Sequence, residues 1–228
     1  MNSHNKIKII FLGNVGIGKT CLIVSYQGGS FIEHPSTLGT TPSYSKIKIN
    51  DKEYNLTILD TSGQERFFSM TKNFIATADI IILVFSVTDK DSFKALNYWY
   101  ENVYEIKGND GYLIGVAGNK LDLLKEVDDI RSIEKKMISF SNKIKAEYSW
   151  TSAKENIGIK DLIKNLVTKF IEKYPKKLAE KRRTICLKAN DLKKKEEEKK
   201  CCSQKKQRFN SSMSVSSTQE DISFDPFD

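Results

Sequence analysis

The residues best suited to chemistry form the run GNVGIGKT (residues 13–20), which fits the pattern G-x-x-x-x-G-K-[ST]. An apolar, β-branched run precedes it at residues 6–12, and residues 19–26 read as the start of a helix. A strand that ends in a glycine-rich turn and opens a helix directs backbone N–H groups at an anion. In that context we expect Lys19 to neutralise the β- and γ-phosphates of a nucleotide and the Thr20 hydroxyl to bind Mg²⁺.

Strands and helices must alternate along the chain to position this loop. Apolar and alternating runs predict strands at residues 6–12, 43–49, 53–59, 80–87, 112–117 and 146–150. Helices are predicted at residues 19–26, 91–106, 129–143 and 159–174, the second of them capped by Asp91-Ser92. The hairpin turn at Asn50-Asp51 makes one pair of strands antiparallel. The alternation predicts an α/β fold with a mostly parallel sheet and helices on both faces.

Three further polar motifs follow predicted strands. They are DTSGQE (residues 60–65), NKLD (residues 119–122) and TSAK (residues 151–154). In parallel sheets, ligands bind outside the carboxyl ends of the strands. The sequence therefore predicts that all four motifs meet at one edge of the sheet and form a single nucleotide site.

These four motifs occur in the order and spacing of the Ras-superfamily small GTPases, and the chain resembles that family over roughly residues 6–174. The wording DTSGQERF (residues 60–67) and TSAK is most similar to the Rab branch. The resemblance implies the P-loop small GTPase fold, with a six-stranded sheet that has one antiparallel edge strand. It also implies a protein that binds GTP and GDP with Mg²⁺, hydrolyses GTP and acts as a molecular switch in vesicle trafficking.

The base side of the site is assigned by the same resemblance. Asp122 is expected to accept hydrogen bonds from the ring N–H and exocyclic amine of guanine; adenine has no such amine and would leave the carboxylate unpaired. Asn119 meets the other edge of the purine, Lys120 lies along the base and ribose, and Phe31 flanks the base. The expected nucleotide-binding residues are Gly13, Val15, Gly16, Ile17, Gly18, Lys19, Thr20, Cys21, Phe31, Thr37, Asp60, Gly63, Asn119, Lys120, Asp122, Ser152, Ala153 and Lys154.

The γ-phosphate side follows the family in the same way. The resemblance implies that Thr20, Thr37 and Asp60 hold Mg²⁺, that the Gly63 N–H senses the third phosphate, and that Gln64 orients the attacking water. The loop from Phe31 to the expected threonine is one residue shorter than is usual in the family, so Thr40 and Thr41 remain alternatives to Thr37. Residues 31–44 and 61–75 are the expected contact surfaces for effectors, an exchange factor and a GTPase-activating protein.

Val15 departs from the family because many relatives have a small residue beside the γ-phosphate. A branched side chain there would crowd Gln64 and an arginine supplied by an activating protein, which predicts slow hydrolysis; a small shift of the loop is the alternative. Two other functions stay open at this stage. One is a GTP-locked binding module that only displays the switch surface, and the other is a Ras-like signalling GTPase.

Charge and composition divide the chain into a domain and a tail. The net charge of +8 lies mainly between residues 175 and 208, where 14 Lys/Arg face 5 Asp/Glu. Because the basic excess lies outside the folded part, we expect no nucleic-acid partner. The predicted organisation is a monomeric GTPase domain at residues 1–174 and a largely disordered tail at residues 175–228, basic at first and then serine-rich and acidic.

No apolar run approaches the ~20 residues that a membrane-spanning helix needs. The tail lacks a C-a-a-X box, but Cys201-Cys202 stands beside Lys199-Lys200. Palmitoylation there together with the basic stretch would provide two membrane signals, and an unmodified solvated spacer is the alternative. The expected location is the cytoplasm, with peripheral association on the cytosolic face of endomembranes.

Overall fold

The computed structural model describes residues 5–32, 37, 39–64, 68–126 and 130–178. The strands are β1 (Lys6–Leu12), β2 (Thr40–Ile49), β3 (Lys52–Thr61), β4 (Ile80–Ser86), β5 (Leu113–Asn119) and β6 (Glu147–Trp150). The helices are α1 (Lys19–Tyr26), α2 (Phe68–Thr77), α3 (Lys90–Lys107), α4 (Ile130–Ile144) and α5 (Ile159–Lys173). A 3₁₀ helix spans Leu121–Glu126, and one further helical turn follows α5 at residues 175–178.

The six strands form one sheet in the order β2-β3-β1-β4-β5-β6. Strands β3, β1, β4, β5 and β6 run parallel, and only β2 is antiparallel, paired to β3 through the turn at residues 50–51. Asn50 and Asp51 both have positive φ, as a two-residue hairpin turn requires. The predicted α/β fold, with its single antiparallel edge strand, is confirmed.

Helices cover both faces because β1 and β4 are apolar on both sides. Ile7, Ile9 and Phe11 of β1 pack into a cluster with α1 and α5. Ile10 and Leu12 face the other way, into a cluster with α2, α3 and α4. The centre of the sheet is therefore fixed between two apolar layers, and the loops at the carboxyl ends of its strands are held on a rigid base.

One helix was missed from the sequence, and one local prediction was wrong. No helix was predicted at residues 68–77, where α2 packs Phe68 and Ile75 into the second cluster. The N-cap of α3 is Asp89 rather than Asp91-Ser92: its Oδ1 accepts the backbone N–H groups of Asp91 and Ser92 at 3.0 and 3.1 Å. A carboxylate at the N-cap satisfies donors that the first helical turn leaves unpaired.

Packing continues past the predicted end of the domain, because Leu178 is buried in the first cluster. Residues 179–228 of the predicted tail, which include Cys201 and Cys202, lie outside the described residues, as do residues 65–67 of the DTSGQERF run. Among the described residues, no helix is both long enough and apolar enough to span a membrane.

Candidate functional site

The glycine-rich loop joins β1 to α1 and is packed too closely for side chains at its two ends. Gly13 has φ 142°, and a Cβ there would lie 2.3 Å from the carbonyl oxygen of Val84. Gly18 has φ 91°, and a Cβ there would lie 2.5 Å from Asn119 Nδ2. These glycines allow the left-handed backbone and the close approach of β4 and β5. The loop is thus held against two neighbouring strands at the edge predicted to bind phosphate.

Lys19, the first residue of α1, lies under this loop. Its Nζ donates to the carbonyl oxygens of Gly13 and Asn14 at 2.9 and 2.7 Å. Burial lowers the pKa of Lys19 to about 8, against the opposing effect of the nearby Asp60 carboxylate. A buried ammonium group held under a glycine-rich loop at the N-terminus of a helix favours a bound anion such as a phosphate.

Three oxygen atoms meet beside Lys19. Thr20 Oγ1 donates to Asp60 Oδ2 at 2.7 Å, Thr37 Oγ1 donates to the same oxygen at 3.2 Å, and the two hydroxyls lie 2.9 Å apart. Burial raises the pKa of Asp60, while its hydrogen bond with Thr20 and the charge of Lys19 lower it. Asp60 Oδ1 is also buried and has no hydrogen-bond partner among the described residues. Such a cluster of hydroxyls and carboxylate fits Mg²⁺, which prefers hard oxygen ligands.

The pairing of β2 with β3 distinguishes the three threonines that were candidates for binding Mg²⁺. Thr40 and Thr41 lie within β2, opposite Thr61 and Asp60 of β3, so their backbones belong to the sheet. Thr37 precedes the strand, and its hydroxyl reaches Thr20 and Asp60. The structure therefore brings Thr37 into the oxygen cluster. Its role as a metal ligand stays a prediction.

The segment after β3 returns onto the glycine-rich loop. Gly63 has φ 70°, and a Cβ there would lie 2.4 Å from Lys19 Nζ and 2.5 Å from the carbonyl oxygen of Gly13. The backbone N–H of Gln64 donates to Ser62 Oγ at 3.3 Å. The Gly63 backbone is consequently next to the place predicted for the terminal phosphate, whereas Gln64 is half-buried and lies outside the cavity wall.

The base side joins three loops through Asn119. Its Nδ2 donates to the carbonyl oxygen of Ile17 at 2.8 Å, and its Oδ1 accepts the Ala153 N–H at 3.3 Å. Asp122 Oδ1 accepts the Ser152 hydroxyl at 2.6 Å. Lys120, between them, has φ 65°, which turns the chain sharply after β5. The arrangement leaves a carboxylate held in place by one hydroxyl and available to further donors.

These elements enclose a cavity of about 350 Å³, within the usual range for small-molecule sites. The predicted residues that line it are Val15, Gly16, Gly18, Lys19, Thr20, Cys21, Phe31, Thr37, Asn119, Lys120, Asp122, Ala153 and Lys154. The predicted residues outside its wall are Gly13, Ile17, Asp60, Gly63, Gln64 and Ser152; most of them contact the wall through the bonds above. Sequence reasoning missed Thr61, Ser62 and Leu123, which line the cavity next to predicted residues.

A lysine-bearing glycine-rich loop between a strand and a helix, at the carboxyl edge of a parallel sheet, defines a P-loop nucleotide-binding protein. The sequence profile of the Ras family matches residues 8–172. Rab-21 of Mus musculus is 36% identical over 167 residues, which cover 72% of this chain and 73% of that protein. Rab-30 of Homo sapiens is 34% identical over 167 residues, which cover 72% of this chain and 79% of that protein.

The chain belongs to the Ras family and lies near its Rab branch. It is therefore a small GTPase that binds guanine nucleotide and hydrolyses GTP to GDP and phosphate. The family resemblance inferred from the four motifs is confirmed.

Proposed function

We propose that this GTPase is a Mg²⁺-dependent switch of the Rab type that acts in vesicle trafficking. The observation that carries the proposal is the contact of Thr37 with Thr20 and Asp60, because it ties the loop before β2 to the nucleotide cavity. Partner surfaces at residues 31–44 and 61–75 would then change with the nucleotide state. Residues 33–36, 38 and 65–67 of these surfaces lie outside the described part of the chain.

The chain's own residues supply binding and positioning. Lys19, whose Nζ donates to the carbonyl oxygens of Gly13 and Asn14, would place its charge at the β- and γ-phosphates, and the backbone of the glycine-rich loop would surround them. Bound Mg²⁺, held by Thr20, Thr37 and Asp60, would neutralise charge on the same phosphates. Gln64 would orient the water that attacks the γ-phosphate once the segment around Gly63 closes on the cavity. When the third phosphate leaves, both segments lose a partner and relax.

The switch is tested by hydrogen–deuterium exchange of the full chain with Mg²⁺ and either GDP or a non-hydrolysable GTP analogue. We expect backbone amides in residues 61–77 to exchange at least several-fold more slowly with the analogue, because the γ-phosphate gives Gly63 a partner. Peptides from α4 and α5 lie away from the cavity wall and serve as the internal control. Equal exchange of residues 61–77 in both nucleotide states would contradict a switch.

Val15 limits the rate of the reaction in this proposal. The residue lines the cavity and is 41% exposed, and it belongs to the loop that we expect to surround the phosphates. We expect Val15→Gly to raise single-turnover GTP hydrolysis about tenfold, which corresponds to about 1.4 kcal/mol of activation free energy. Val15→Ala, which retains only the Cβ, gives an intermediate rate. Equal rates for all three proteins would show that the loop accommodates the branch.

A GTP-locked binding module is the second candidate, and Val15 is the observation that favours it. The two candidates differ in one quantity, the fraction of GTP remaining on the protein after purification. A cycling switch is recovered mainly with GDP, and a locked module mainly with GTP. A role in Ras-like signalling instead of trafficking is separated from both by where the full-length protein concentrates in the cell.

We further propose that the protein acts as a monomer on the cytosolic face of endomembranes. The basic stretch at residues 175–208 favours an anionic surface, and Cys201 and Cys202 offer sites for acylation. Localisation of the tagged protein with both cysteines changed to serine tests the contribution of acylation. An unchanged distribution would leave the membrane role to the basic stretch alone.

A further inference from the structure

A partly buried side-chain hydrogen bond joins α3 to the glycine-rich loop. The indole N–H of Trp99 donates to Asn14 Oδ1 at 3.0 Å, across 85 positions of sequence. Trp99 is 3% exposed, so water does not compete effectively for its indole N–H, and Asn14 is half-buried. Neither residue belongs to the set expected to touch nucleotide, and none of the four motifs requires a tryptophan in α3.

The same indole also contacts α2. The rings of Trp99 and Phe68 lie edge to face, with centroids 6.1 Å apart. Phe68 is the first residue of α2, the helix that follows the segment containing Gly63 and Gln64. A rigid, planar side chain with only two rotatable bonds therefore contacts both the glycine-rich loop and the start of α2.

Asn14 stands next to the groups that handle phosphate. Its main-chain oxygen accepts a hydrogen bond from Lys19 Nζ at 2.7 Å, and the following residue is Val15. Gly63 packs against the same stretch, because a Cβ there would lie 2.7 Å from the carbonyl carbon of Asn14. Any movement of Asn14 thus changes the positions of an acceptor for Lys19 and of the surface that Gly63 contacts.

We propose that Trp99 is a positioning residue for the GTPase reaction: its N–H fixes the glycine-rich loop through Asn14, and its ring links that loop to α2. The proposal rests on the proposed function, in which the cavity binds the phosphates of GTP. Its rival is a tryptophan that only fills the core, for which a ring without the N–H is sufficient. The two readings differ in whether the hydrogen bond affects the nucleotide.

A double-mutant cycle separates them. We expect Trp99→Phe and Asn14→Ala each to speed GDP release and to slow single-turnover hydrolysis about tenfold, and the double variant to do no more than either single one. Tyr98→Phe is the matched control, because it changes a neighbouring aromatic residue of α3 that also contacts Phe68. Its rates should equal those of the wild type. Release and hydrolysis unchanged in Trp99→Phe, with only a lower melting temperature, would overturn the proposal.

Fluorescence tests the hydrogen bond without nucleotide. The chain has two tryptophans, so Trp150→Phe leaves Trp99 as the only indole. In that background Asn14→Ala should shift the emission maximum of the nucleotide-free protein, and Asn14→Asp, which keeps an acceptor oxygen, should restore it. Identical emission in all three would refute the contact. If the emission shifts but guanine nucleotide fails to bind, the contact stands and the proposed function of the cavity is what fails.

Discussion

The variant Asp122→Asn is expected to bind GDP and GTP about 10²–10⁴-fold more weakly than the wild type. Two hydrogen bonds from guanine to the carboxylate are each worth about 1.5–3 kcal/mol, because the acceptor is charged. Asparagine keeps the size of the side chain but can present an amide donor where the purine also has a donor. The Ser152 hydroxyl, 2.6 Å from Asp122 Oδ1, holds the carboxylate in place in the wild type.

Inosine triphosphate makes the test specific, since it retains the ring N–H of guanine and lacks the exocyclic amine. Wild-type protein is expected to bind GTP more tightly than this analogue. The ratio of the two affinities should fall towards one in Asp122→Asn. Glu155→Gln is the matched control, because it removes one negative charge from an exposed side chain in the neighbouring loop. Fluorescence titration of labelled nucleotides measures the affinity of each of the three proteins for GTP and for inosine triphosphate. Retention of GTP preference in Asp122→Asn would move base recognition to another residue.

Most of the fold was predictable because its strands carry strong local signals. Strand β1 was predicted at its observed bounds, since residues 6–12 contain three β-branched isoleucines in a largely apolar run and are followed by a glycine. Helix α2 was missed because its sequence, FSMTKNFIAT, is rich in aromatic, β-branched and polar residues that favour helix weakly. Its stability comes from tertiary packing, in which Ile75 is fully buried against the sheet.

The residues of the site could be predicted where they are adjacent in sequence. Where they are distant in sequence, their assignment remained undecided. Short sequence motifs contain Lys19, Asn119 and Asp122. The spacing within each motif was sufficient to predict which groups these residues lie beside. Spacing did not choose between Thr37 and the threonines of β2, because the choice depends on which residues pair with β3. Trp99 gave no signal for a role at the loop, since a tryptophan on a helix ordinarily indicates core packing.

The helical turn after α5 is held by a contact that no local sequence pattern predicted. Asp79, the residue before β4, is fully buried; its Oδ2 accepts the Lys8 backbone N–H at 2.9 Å, and its Oδ1 lies 3.2 Å from Lys177 Nζ. Lys177 is in the helical turn after α5, and its Nζ also donates to the carbonyl oxygen of Gly111 at 2.5 Å. The neighbouring Leu178 is buried in the apolar cluster. The turn after α5 is therefore attached to the core by charge and by apolar contact.

Replacing Lys177 with methionine is expected to lower the free energy of unfolding by about 2–4 kcal/mol. Removal of one partner from a buried ion pair usually costs about 3–5 kcal/mol, and the partial exposure of Lys177 reduces that value. Asp79→Asn in the Lys177→Met background should recover part of the loss, because the remaining buried group is then neutral. Urea unfolding of the GDP-bound protein provides the measurement.

Lys176→Met is the matched control for this prediction, since the neighbouring lysine is exposed and should change the unfolding free energy by less than about 0.5 kcal/mol. Truncation after Tyr174 should destabilise the protein more than Lys177→Met does, because it also removes the buried side chain of Leu178. If residues 175–178 stabilise the protein in this way, the folded domain extends past residue 174, where the last predicted helix ends. If truncation and both lysine variants unfolded at the wild-type urea midpoint, residues 175–178 would contribute nothing to the stability of the domain.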